Sequence, residues 1–389
     1  MREQIEGSRA VARAVAACRP GVICAYPISP QTHIVEALST LVKSGALKGC
    51  EFVNVESEFA ALSVAIGASA AGARAYTATA SQGLLFMAEA LYNAAGLGLP
   101  IVMTVANRAL GAPINIWNDH SDALSQRDSG WIQLYAESNQ DAADLHIQAF
   151  RLAEELSLPV MVCMDGFVLT HAYEAVDVPA VEQVDRYLPG FTPRQCLDPA
   201  DPITIGAMVG PEAFTEVRYL AHQTHQRALE RIPALGSAFT EIFGRPGMGL
   251  LAPYRADAET VVLALGSVLG TLKDTVDDLR GLGHSIGVIG LTTFRPFPAE
   301  ALRAALAGAK RVVVLDRALA VGVGGVVSID VAAALAGTDL RQHTVVAGLG
   351  GRPITRASLH GTLLRAIEDD LPPLTFLDLD HRLLATAGA

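Results

Sequence analysis

The sequence lacks any cysteine pattern that would hold a metal ion or an iron–sulfur cluster. No two cysteines form a CxxC pair, and none are spaced like the ligands of zinc or of an iron–sulfur centre. We therefore expect no metal site on this chain, and reduced, mostly buried thiols at Cys18, Cys24, Cys50, Cys163 and Cys196. Any redox cluster that the protein uses would lie on another chain.

The hydrophobic pattern and the net charge argue against a membrane span and against a nucleic-acid partner. Charged residues make up 18% of the chain against 51% hydrophobic ones, yet no stretch is long and apolar enough for a membrane span. The net charge is -11 and no basic stripe with interleaved aromatic residues occurs, so nucleic acid is not an expected partner. The first residues, MREQIE, carry acids and lack a signal-peptide core, which predicts a cytoplasmic protein.

The 389 residues are too many for one typical domain, and their pattern predicts two α/β domains. Helices and strands alternate over residues 1–175, which is typical of a parallel sheet covered on both faces. Prolines interrupt this pattern over 176–257, which we interpret as an irregular connector with one polar helix at 212–231. The alternation resumes over 258–389 in a second, smaller domain.

Apolar runs and turn residues predict the individual elements of both domains. Strands are expected at 22–25, 73–80, 100–106, 159–165, 260–265, 285–291, 311–315 and 344–347. Helices are expected at 31–43, 57–72 and 142–156, with a turn at 81–83 followed by a helix through residue 94.

A carboxylate stands at the head of an otherwise uncharged segment. Glu58 follows Ser57, a residue type that caps helices, and no ionisable side chain occurs from 59 to 72. The dipole of a helix favours a negative charge in its first turn. Glu58 is therefore either an ordinary first-turn acid or a partly buried carboxylate that is available to a nitrogen of a ligand.

Polar groups occur in loops that follow predicted strands, and such loops gather at one edge of a parallel sheet, where ligands bind. Ser29 offers a hydroxyl in the loop 26–31. Arg108 follows the most apolar strand, and its planar guanidinium can bond both oxygens of a carboxylate. A surface salt bridge is an equally good interpretation of Arg108 from the sequence alone.

Two other groups favour structural interpretations. In the polar segment 117–122, Asp119 and His120 are best explained as a hydrogen-bond pair that stabilises the loop. The glycines at 322–325 lack the spacing of a dinucleotide fingerprint and favour close backbone packing. The segment 350–352 follows a strand and fits a structural turn and an anion site equally well.

Taken together, the motifs resemble one known family along nearly the whole chain and in the same order. The matching segments are YPISP at 26–30, ESE at 56–58, GASAAGAR at 67–74, TASQGL at 79–84, RAL at 108–110, IWNDHSD at 116–122, TFRPFP at 293–298 and GLGGR at 348–352. The chain resembles the alpha subunit of the 2-oxoacid:ferredoxin oxidoreductases, the pyruvate-type thiamine diphosphate enzymes, with phenylglyoxylate dehydrogenase as a close relative. This resemblance implies a pyrimidine-binding α/β domain followed by an α/β domain like the transketolase C-terminal domain.

The resemblance also implies roles for five residues. Glu58 matches the catalytic glutamate that bonds the pyrimidine ring nitrogen of thiamine diphosphate, and Ile28 and Gln82 are implied as further cofactor-binding residues. A bond to that nitrogen favours the imino tautomer of the ring, whose other nitrogen can remove the C2 proton of the thiazolium. Arg108 matches the arginine that holds the substrate carboxylate. Ser29 stands where the family usually has a threonine, and it keeps the hydroxyl that contacts the substrate.

The implied reaction is the CoA-dependent oxidative decarboxylation of a 2-oxoacid to an acyl-CoA. Pyruvate is one expected substrate. Ala109, Gly111 and Ala112 are small residues after Arg108 that would leave room for a bulkier acid such as phenylglyoxylate.

The sequence lacks the Gly-Asp-Gly segment with a following Asn that would hold Mg²⁺ and the diphosphate. The resemblance therefore implies a beta subunit that carries these groups, together with ferredoxin-like and gamma-type subunits that carry iron–sulfur clusters. Electrons would pass to ferredoxin, or to NAD through a flavin subunit. Two alternatives are a stand-alone nucleotide-dependent dehydrogenase that uses the second-domain glycines, and a non-catalytic scaffold subunit.

Overall fold

The structure, a computed structural model, describes residues 2–386 and divides the chain into two compact units. The first unit takes the chain as far as Leu250, together with Thr292–Pro298. The second takes Leu251–Leu291 and the chain from Ala299 onward. Most of the predicted connector 176–257 is thus part of the first unit. Among the described residues, no helix combines the length and apolar character that crossing a bilayer requires.

The strands of the described residues are β1 (Arg2–Glu6), β2 (Val22–Ala25), β3 (Glu51–Asn54), β4 (Ala75–Thr79), β5 (Ile101–Asn107), β6 (Ile132–Tyr135), β7 (Val160–Asp165), β8 (Tyr173–Asp177), β9 (Leu251–Tyr254), β10 (Thr260–Ala264), β11 (Ile286–Leu291), β12 (Thr293–Arg295), β13 (Arg311–Asp316), β14 (Arg341–Val346) and β15 (Leu374–Phe376).

The α-helices of the same residues are α1 (Gly7–Ala17), α2 (Thr32–Lys43), α3 (Glu58–Ala70), α4 (Ser81–Phe86), α5 (Ala88–Gly96), α6 (Ser121–Ser125), α7 (Asn139–Leu156), α8 (Val181–Tyr187), α9 (Phe214–Phe243), α10 (Val268–Gly281), α11 (Ala299–Ala305), α12 (Val327–Ala334), α13 (Arg356–Ile367) and α14 (His381–Thr386). A 3₁₀ turn occupies Leu349–Gly351.

The first unit is built on a seven-stranded sheet with the order β12-β6-β7-β5-β4-β2-β3. Six of these strands are parallel, and β12 lies antiparallel to β6 at one edge. Strands β5 and β7 are buried along their whole length, as the apolar runs predict for the centre of a covered parallel sheet. A separate antiparallel pair joins β1 to β8.

The second unit has a six-stranded sheet with the order β15-β14-β13-β10-β11-β9. It is parallel except for β9, which pairs antiparallel with β11 at the edge. Both units are therefore α/β folds whose parallel strands are joined through helices, and the predicted fold class is confirmed.

The turn predicted at 81–83 is instead the first turn of α4. Ser81 begins this helix with a φ of 51°, in the left-handed region, directly after β4. The predicted single helix is broken at Met87 into α4 and α5. Because α4 begins directly after β4, Ser81 and its neighbours lie at the carboxyl end of the sheet.

A buried ion pair ties the first unit together. The Arg74 guanidinium bonds both oxygens of Glu154 on α7, at 2.5 and 3.1 Å. The same guanidinium also donates to the carbonyls of Cys18, after α1, and Pro189, after α8. Both side chains are almost withdrawn from water, so each charge depends on the other for compensation.

We predict that Glu154→Ala destabilises the first unit by about 3–5 kcal/mol, because it leaves the Arg74 charge buried and uncompensated. The matched control is Glu155→Ala, the next residue of α7, whose pair with Arg231 is solvent-exposed. That change should cost only about 0–1 kcal/mol. Chemical denaturation followed by circular dichroism measures the free energy of unfolding of both variants. Equal decreases in this free energy would contradict the claim that burial makes the Arg74–Glu154 pair important.

Candidate active site

The five residues implied by the resemblance lie at the same edge of the first sheet, in loops or in the first turns of helices that follow its strands. Strands β3, β2, β4 and β5 are parallel neighbours, so their carboxyl ends meet at one edge. Glu58 follows β3, and Ile28 and Ser29 follow β2. Gln82 follows β4, and Arg108 follows β5 directly. Side chains far apart in the sequence are thus gathered where open α/β sheets bind ligands.

Glu58 is the first residue of α3 and is 8% exposed. Ser57 caps the helix, as expected, by accepting a 3.1 Å hydrogen bond from the Ala60 N–H. Within residues 2–386 no side chain or N–H donates a hydrogen bond to the Glu58 carboxylate. A carboxylate at a helix N-terminus that is nearly buried and receives no donor from its own chain is well suited to a ligand nitrogen.

Close packing around Glu58 requires a glycine on the facing helix. A Cβ on Gly83 of α4 would lie 2.7 Å from Glu58 Oε1 and 2.7 Å from Thr79 Oγ1. The Thr79 hydroxyl is itself buried and has no hydrogen-bond partner among the described residues. Two polar groups with unused bonding capacity therefore lie side by side at the end of β4.

Arg108 is 8% exposed, which is not the environment of a surface salt bridge. Its Nη1 donates to the Ser29 carbonyl at 2.8 Å, and its Nε donates to the Asn115 carbonyl at 3.3 Å. Burial lowers the pKa of Arg108, and the Asp122 carboxylate opposes that shift. Both hydrogen-bond partners are neutral carbonyls, so the guanidinium keeps further N–H donors for an anion.

Asp122 holds this edge of the sheet together. Its Oδ2 accepts from the backbone N–H groups of Ser81 and Arg108, both at 2.9 Å. Its Oδ1 accepts from Asn107 Nδ2 at 2.8 Å and from the Ala123 N–H at 2.7 Å. The side chain is fully buried, and burial raises the pKa of Asp122 while these four donors oppose the rise. One carboxylate thereby fixes the start of α4 relative to Arg108.

Gln82 is exposed and lies against the loop that follows Arg108. A Cβ on Gly111 would come within 2.7 Å of Gln82 Nε2. The Ser81 hydroxyl bonds both the Gln82 side chain and the Ala109 carbonyl, the latter at 2.6 Å. These contacts place the Gln82 amide at the rim of the same site.

The loop that carries Ile28 and Ser29 is fixed by a buried glutamine. Gln31 Nε2 donates to the Ala78 carbonyl of β4 at 2.6 Å and to the Tyr26 carbonyl at 3.2 Å. Ile28 is half-buried and Ser29 is exposed. Both residues therefore lie at the surface of an anchored loop.

Asp119 and His120 do stabilise their loop, but through separate partners rather than as a pair. His120 Nε2 lies 2.7 Å from Asp165 Oδ1 at the end of β7, and both side chains are buried. Asp119 Oδ1 accepts from the Ser121 N–H at 3.0 Å.

Sequence reasoning did not assign roles to Asp122, Gln31 or Asp165. Asp122 falls in the polar segment 117–122 and in the matching segment 116–122, but neither pattern indicates its contacts with the backbone of Ser81 and Arg108.

Large apolar side chains are exposed around this edge. Phe59 adjoins Glu58, Phe86 ends α4, and Ile114 and Trp117 lie in the loop after Arg108. Phe86, Ile114 and Trp117 are all more than half exposed. Exposed apolar groups that cluster around a polar site mark a surface that binds another molecule.

The glycine motifs of the second unit serve packing and turns. A Cβ on Gly325 would lie 2.3 Å from Ser328 Oγ and 2.4 Å from Asp316 Oδ2. Gly350 and Gly351 have φ values of 58° and 78°, which favour glycine in a turn. The close-packing interpretation of residues 322–325 therefore holds for Gly325, whereas a Cβ on Gly322 would meet no heavy atom within 4 Å, and Gly322 and Gly324 have the positive φ values of turn glycines.

Comparison with known families explains this arrangement. A family model described as the thiamine diphosphate-binding domain of pyruvate flavodoxin/ferredoxin oxidoreductase matches residues 13–235, and one for pyruvate:ferredoxin oxidoreductase core domain II matches residues 258–359. The chain belongs to the pyruvate:ferredoxin oxidoreductase family. The first unit of this family member is accordingly a thiamine diphosphate-binding domain.

Individual relatives match over nearly the full length of the chain. Pyruvate synthase subunit PorA of Methanosarcina barkeri is 50% identical over 98% of this chain and 97% of its own length. Ketoisovalerate oxidoreductase subunit VorA of Pyrococcus horikoshii is 40% identical over 91% of each chain. The solved 2-oxoglutarate:ferredoxin oxidoreductase from Magnetococcus marinus superposes with a TM-score of 0.71 at 20% identity. That match covers 94% of this chain and 65% of the solved one, and it supports the fold.

We predict that Asp122→Asn damages the site of this family member as well as its stability. Each oxygen of the Asp122 carboxylate accepts two N–H groups. The amide nitrogen of an asparagine cannot accept a hydrogen bond, so in either orientation two N–H groups lose their acceptor. Each buried N–H group left unpaired destabilises the protein by about 1–3 kcal/mol. The resulting displacement of Arg108 should lower kcat/KM for the 2-oxoacid by roughly 10- to 100-fold in the assembled enzyme.

The matched control for this change is Asp144→Asn on α7. Asp144 is also buried and bonded to a cation, Arg245, but it touches none of the five candidate residues. It should lower the melting temperature without changing kcat/KM. If both variants changed kcat/KM equally, Asp122 would have no special positioning role.

Proposed function

We propose that this chain is the alpha subunit of a thiamine diphosphate-dependent 2-oxoacid oxidoreductase, with Glu58 bonding the pyrimidine ring of the cofactor. The reaction is the CoA-dependent oxidative decarboxylation of a 2-oxoacid to an acyl-CoA. The observation that carries the proposal is the nearly buried Glu58 carboxylate, which receives no hydrogen bond from the described chain, within a thiamine diphosphate-binding domain.

The residues present fit the cofactor. The pyrimidine of thiamine diphosphate offers a ring nitrogen, and Glu58 offers a carboxylate acceptor at the N-terminus of α3. Gly83 has no side chain and leaves space beside this carboxylate. Half-buried Ile28 and the Gln82 amide flank this edge and are proposed as further contacts to the ring. The bound cofactor supplies the electron sink that decarboxylation of a 2-oxoacid needs. Glu58 holds the proton at the ring nitrogen and so sets the protonation of the ring.

Arg108 and Ser29 are proposed to bind the substrate. The guanidinium is buried, bonded only to neutral carbonyls, and joined directly to the backbone of Ser29. It can therefore pair with the carboxylate of a 2-oxoacid while the Ser29 hydroxyl bonds a substrate oxygen. The names of the relatives favour pyruvate, with branched 2-oxoacids such as ketoisovalerate next. Phenylglyoxylate would require the space left by Ala109, Gly111 and Ala112.

A beta subunit is proposed to complete the site. The sequence has no segment for Mg²⁺ and diphosphate, and apolar side chains surround the candidate edge. A second chain docked on Phe59, Phe86, Ile114 and Trp117 would bury these groups and bring the Mg²⁺–diphosphate site to the pyrimidine. Iron–sulfur clusters would lie on ferredoxin-like and gamma-type subunits, with ferredoxin or a flavin/NAD subunit as the acceptor. A cytoplasmic location is proposed for the assembly.

The two alternative functions find less support. A stand-alone nucleotide-dependent dehydrogenase would use the glycines at 322–325, of which Gly325 packs against Asp316 and Ser328. A non-catalytic scaffold role does not explain why the Glu58 carboxylate and the Arg108 guanidinium lie buried at one sheet edge without an ion-pair partner among the described residues.

We predict that Glu58→Gln lowers kcat of the reconstituted complex by about 100-fold or more, the usual loss when a proton-transfer group is removed. Assembly should be unchanged by size-exclusion chromatography, because no described residue bonds this carboxylate. Glu56→Gln, two residues away and exposed, is the matched control and should retain full turnover. Wild-type turnover in Glu58→Gln would refute the catalytic role.

We predict that Arg108→Ala raises the KM for the 2-oxoacid by roughly 30-fold or more, because losing one partner of a buried charge pair costs at least about 2 kcal/mol. Arg108→Lys should recover only part of this loss, since an ammonium cannot form the two-pronged bond. Arg127→Ala, which removes a partly exposed cation just after α6, should leave KM unchanged. An unchanged KM in Arg108→Ala would remove this residue from the carboxylate site.

A further inference from the structure

Three metal-ligating side chains meet on the first unit at a place where the sequence predicted no metal. Among residues 2–386, one group of three or more His, Cys, Asp or Glu side chains offers ligand atoms that converge: Glu6, His33 and His171. Glu6 ends β1, His33 is the second residue of α2, and His171 lies between β7 and β8. We propose that these three residues bind a divalent transition-metal ion of the zinc type.

The geometry is close to that of a metal site. Glu6 Oε1 lies 2.5 Å from His33 Nδ1, and the rings of His33 and His171 have their centroids 4.5 Å apart. One ligand atom from each residue lies within 4.8 Å of the other two. Tetrahedral zinc with bonds of 2.0–2.2 Å holds its ligand atoms roughly 3.3 Å apart. The ion would replace the hydrogen bond between Glu6 Oε1 and His33 Nδ1 and move these atoms apart by about 0.8 Å, whereas the other ligand pairs would close by about 1.5 Å at most. The half-exposed His33 ring can supply that movement.

The surroundings orient His171 as metal-ligating histidines are oriented. Its Nδ1 lies 2.7 Å from Thr170 Oγ1, which is buried and also accepts a hydrogen bond from the Phe167 N–H at 2.8 Å. The Phe167 ring also packs against the His171 ring, with centroids 4.9 Å apart. When Nδ1 donates its N–H to the Thr170 hydroxyl, Nε2 is left to bind the metal, as in most histidine metal ligands, whose other ring nitrogen is hydrogen-bonded.

The charges also permit a cation. Glu6 supplies one negative charge to the cluster, and the two imidazoles add none. Arg9 lies 3.6 Å from the other oxygen of Glu6, Oε2, but its side chain is 67% exposed and its charge is screened by water. The Glu36 carboxylate, at the nearby groove, adds a further negative charge.

An access route reaches the cluster. A groove of about 430 Å³ is lined by Glu6, Arg9, Arg13, His33 and Glu36. Two histidines and one carboxylate would leave the fourth position of a tetrahedral ion to water from this groove. The ion would connect β1, α2 and the chain after β7. Because α2 directly follows the loop of Ile28 and Ser29, metal binding would stiffen the base of the candidate active site.

The test uses the full-length chain after treatment with EDTA. Titration with Zn²⁺ should give one tight site by calorimetry, and Zn²⁺ should raise the melting temperature. Co²⁺ should give the visible absorption of a tetrahedral site. His33→Ala removes a half-exposed ring with little risk to folding. It should weaken Zn²⁺ binding by more than the roughly 100-fold loss that follows removal of a group that only hydrogen-bonds a metal ligand. His171→Gln should do the same.

The matched control is His381→Ala, which removes an exposed histidine of the second unit. It should bind Zn²⁺ and Co²⁺ as the wild type does. Thr170→Val, which removes the partner of His171 Nδ1, should weaken binding less than loss of a ligand. The proposal is overturned if the wild type binds no Zn²⁺ stoichiometrically, or if His33→Ala and His171→Gln bind it as tightly as the wild type.

Discussion

The candidate active site depends on one carboxylate that is nearly buried and accepts no hydrogen bond from the described residues. Glu58 is nearly buried at the start of α3, and none of residues 2–386 donates a hydrogen bond to it. Leaving a charged group in such a place is unfavourable unless a ligand compensates it. Ser57 caps α3 directly before Glu58, and Gly83, which has no side chain, leaves room for the carboxylate beside α4. Binding of a cofactor nitrogen is the event that would satisfy this arrangement.

A second carboxylate supplies the rigidity that the first requires. Asp122 accepts four hydrogen bonds and so joins the start of α4 to Arg108 and the end of β5. The two acids have opposite roles that follow from their surroundings. Asp122 accepts four hydrogen bonds and holds the backbone, whereas Glu58 accepts none from residues 2–386 and is proposed to bond a ligand. Arg108 lies between these cases, since it is anchored by neutral carbonyls and keeps donors for an anion.

Much of this organisation could be predicted from the sequence, because apolar strands such as β2 and β7 carry their pattern locally. Elements that are stabilised by residues far away in the sequence could not be predicted in this way. Strand β1 is polar and forms only by pairing with β8. A polar helix was predicted over 212–231, but α9 runs from Phe214 to Phe243 with Pro233 inside it, because buried Phe239 and Phe243 pack into the core of the first unit. The bonds of Asp122 likewise join segments that no local pattern connects.

The most direct test of the central claim is a density map of the assembled enzyme with thiamine diphosphate bound. The account predicts the pyrimidine ring nitrogen within hydrogen-bond distance of a Glu58 carboxylate oxygen, about 2.6–3.2 Å, with the diphosphate held by a neighbouring chain. A map that shows the ring away from Glu58, or the whole cofactor bound within another subunit, would contradict it.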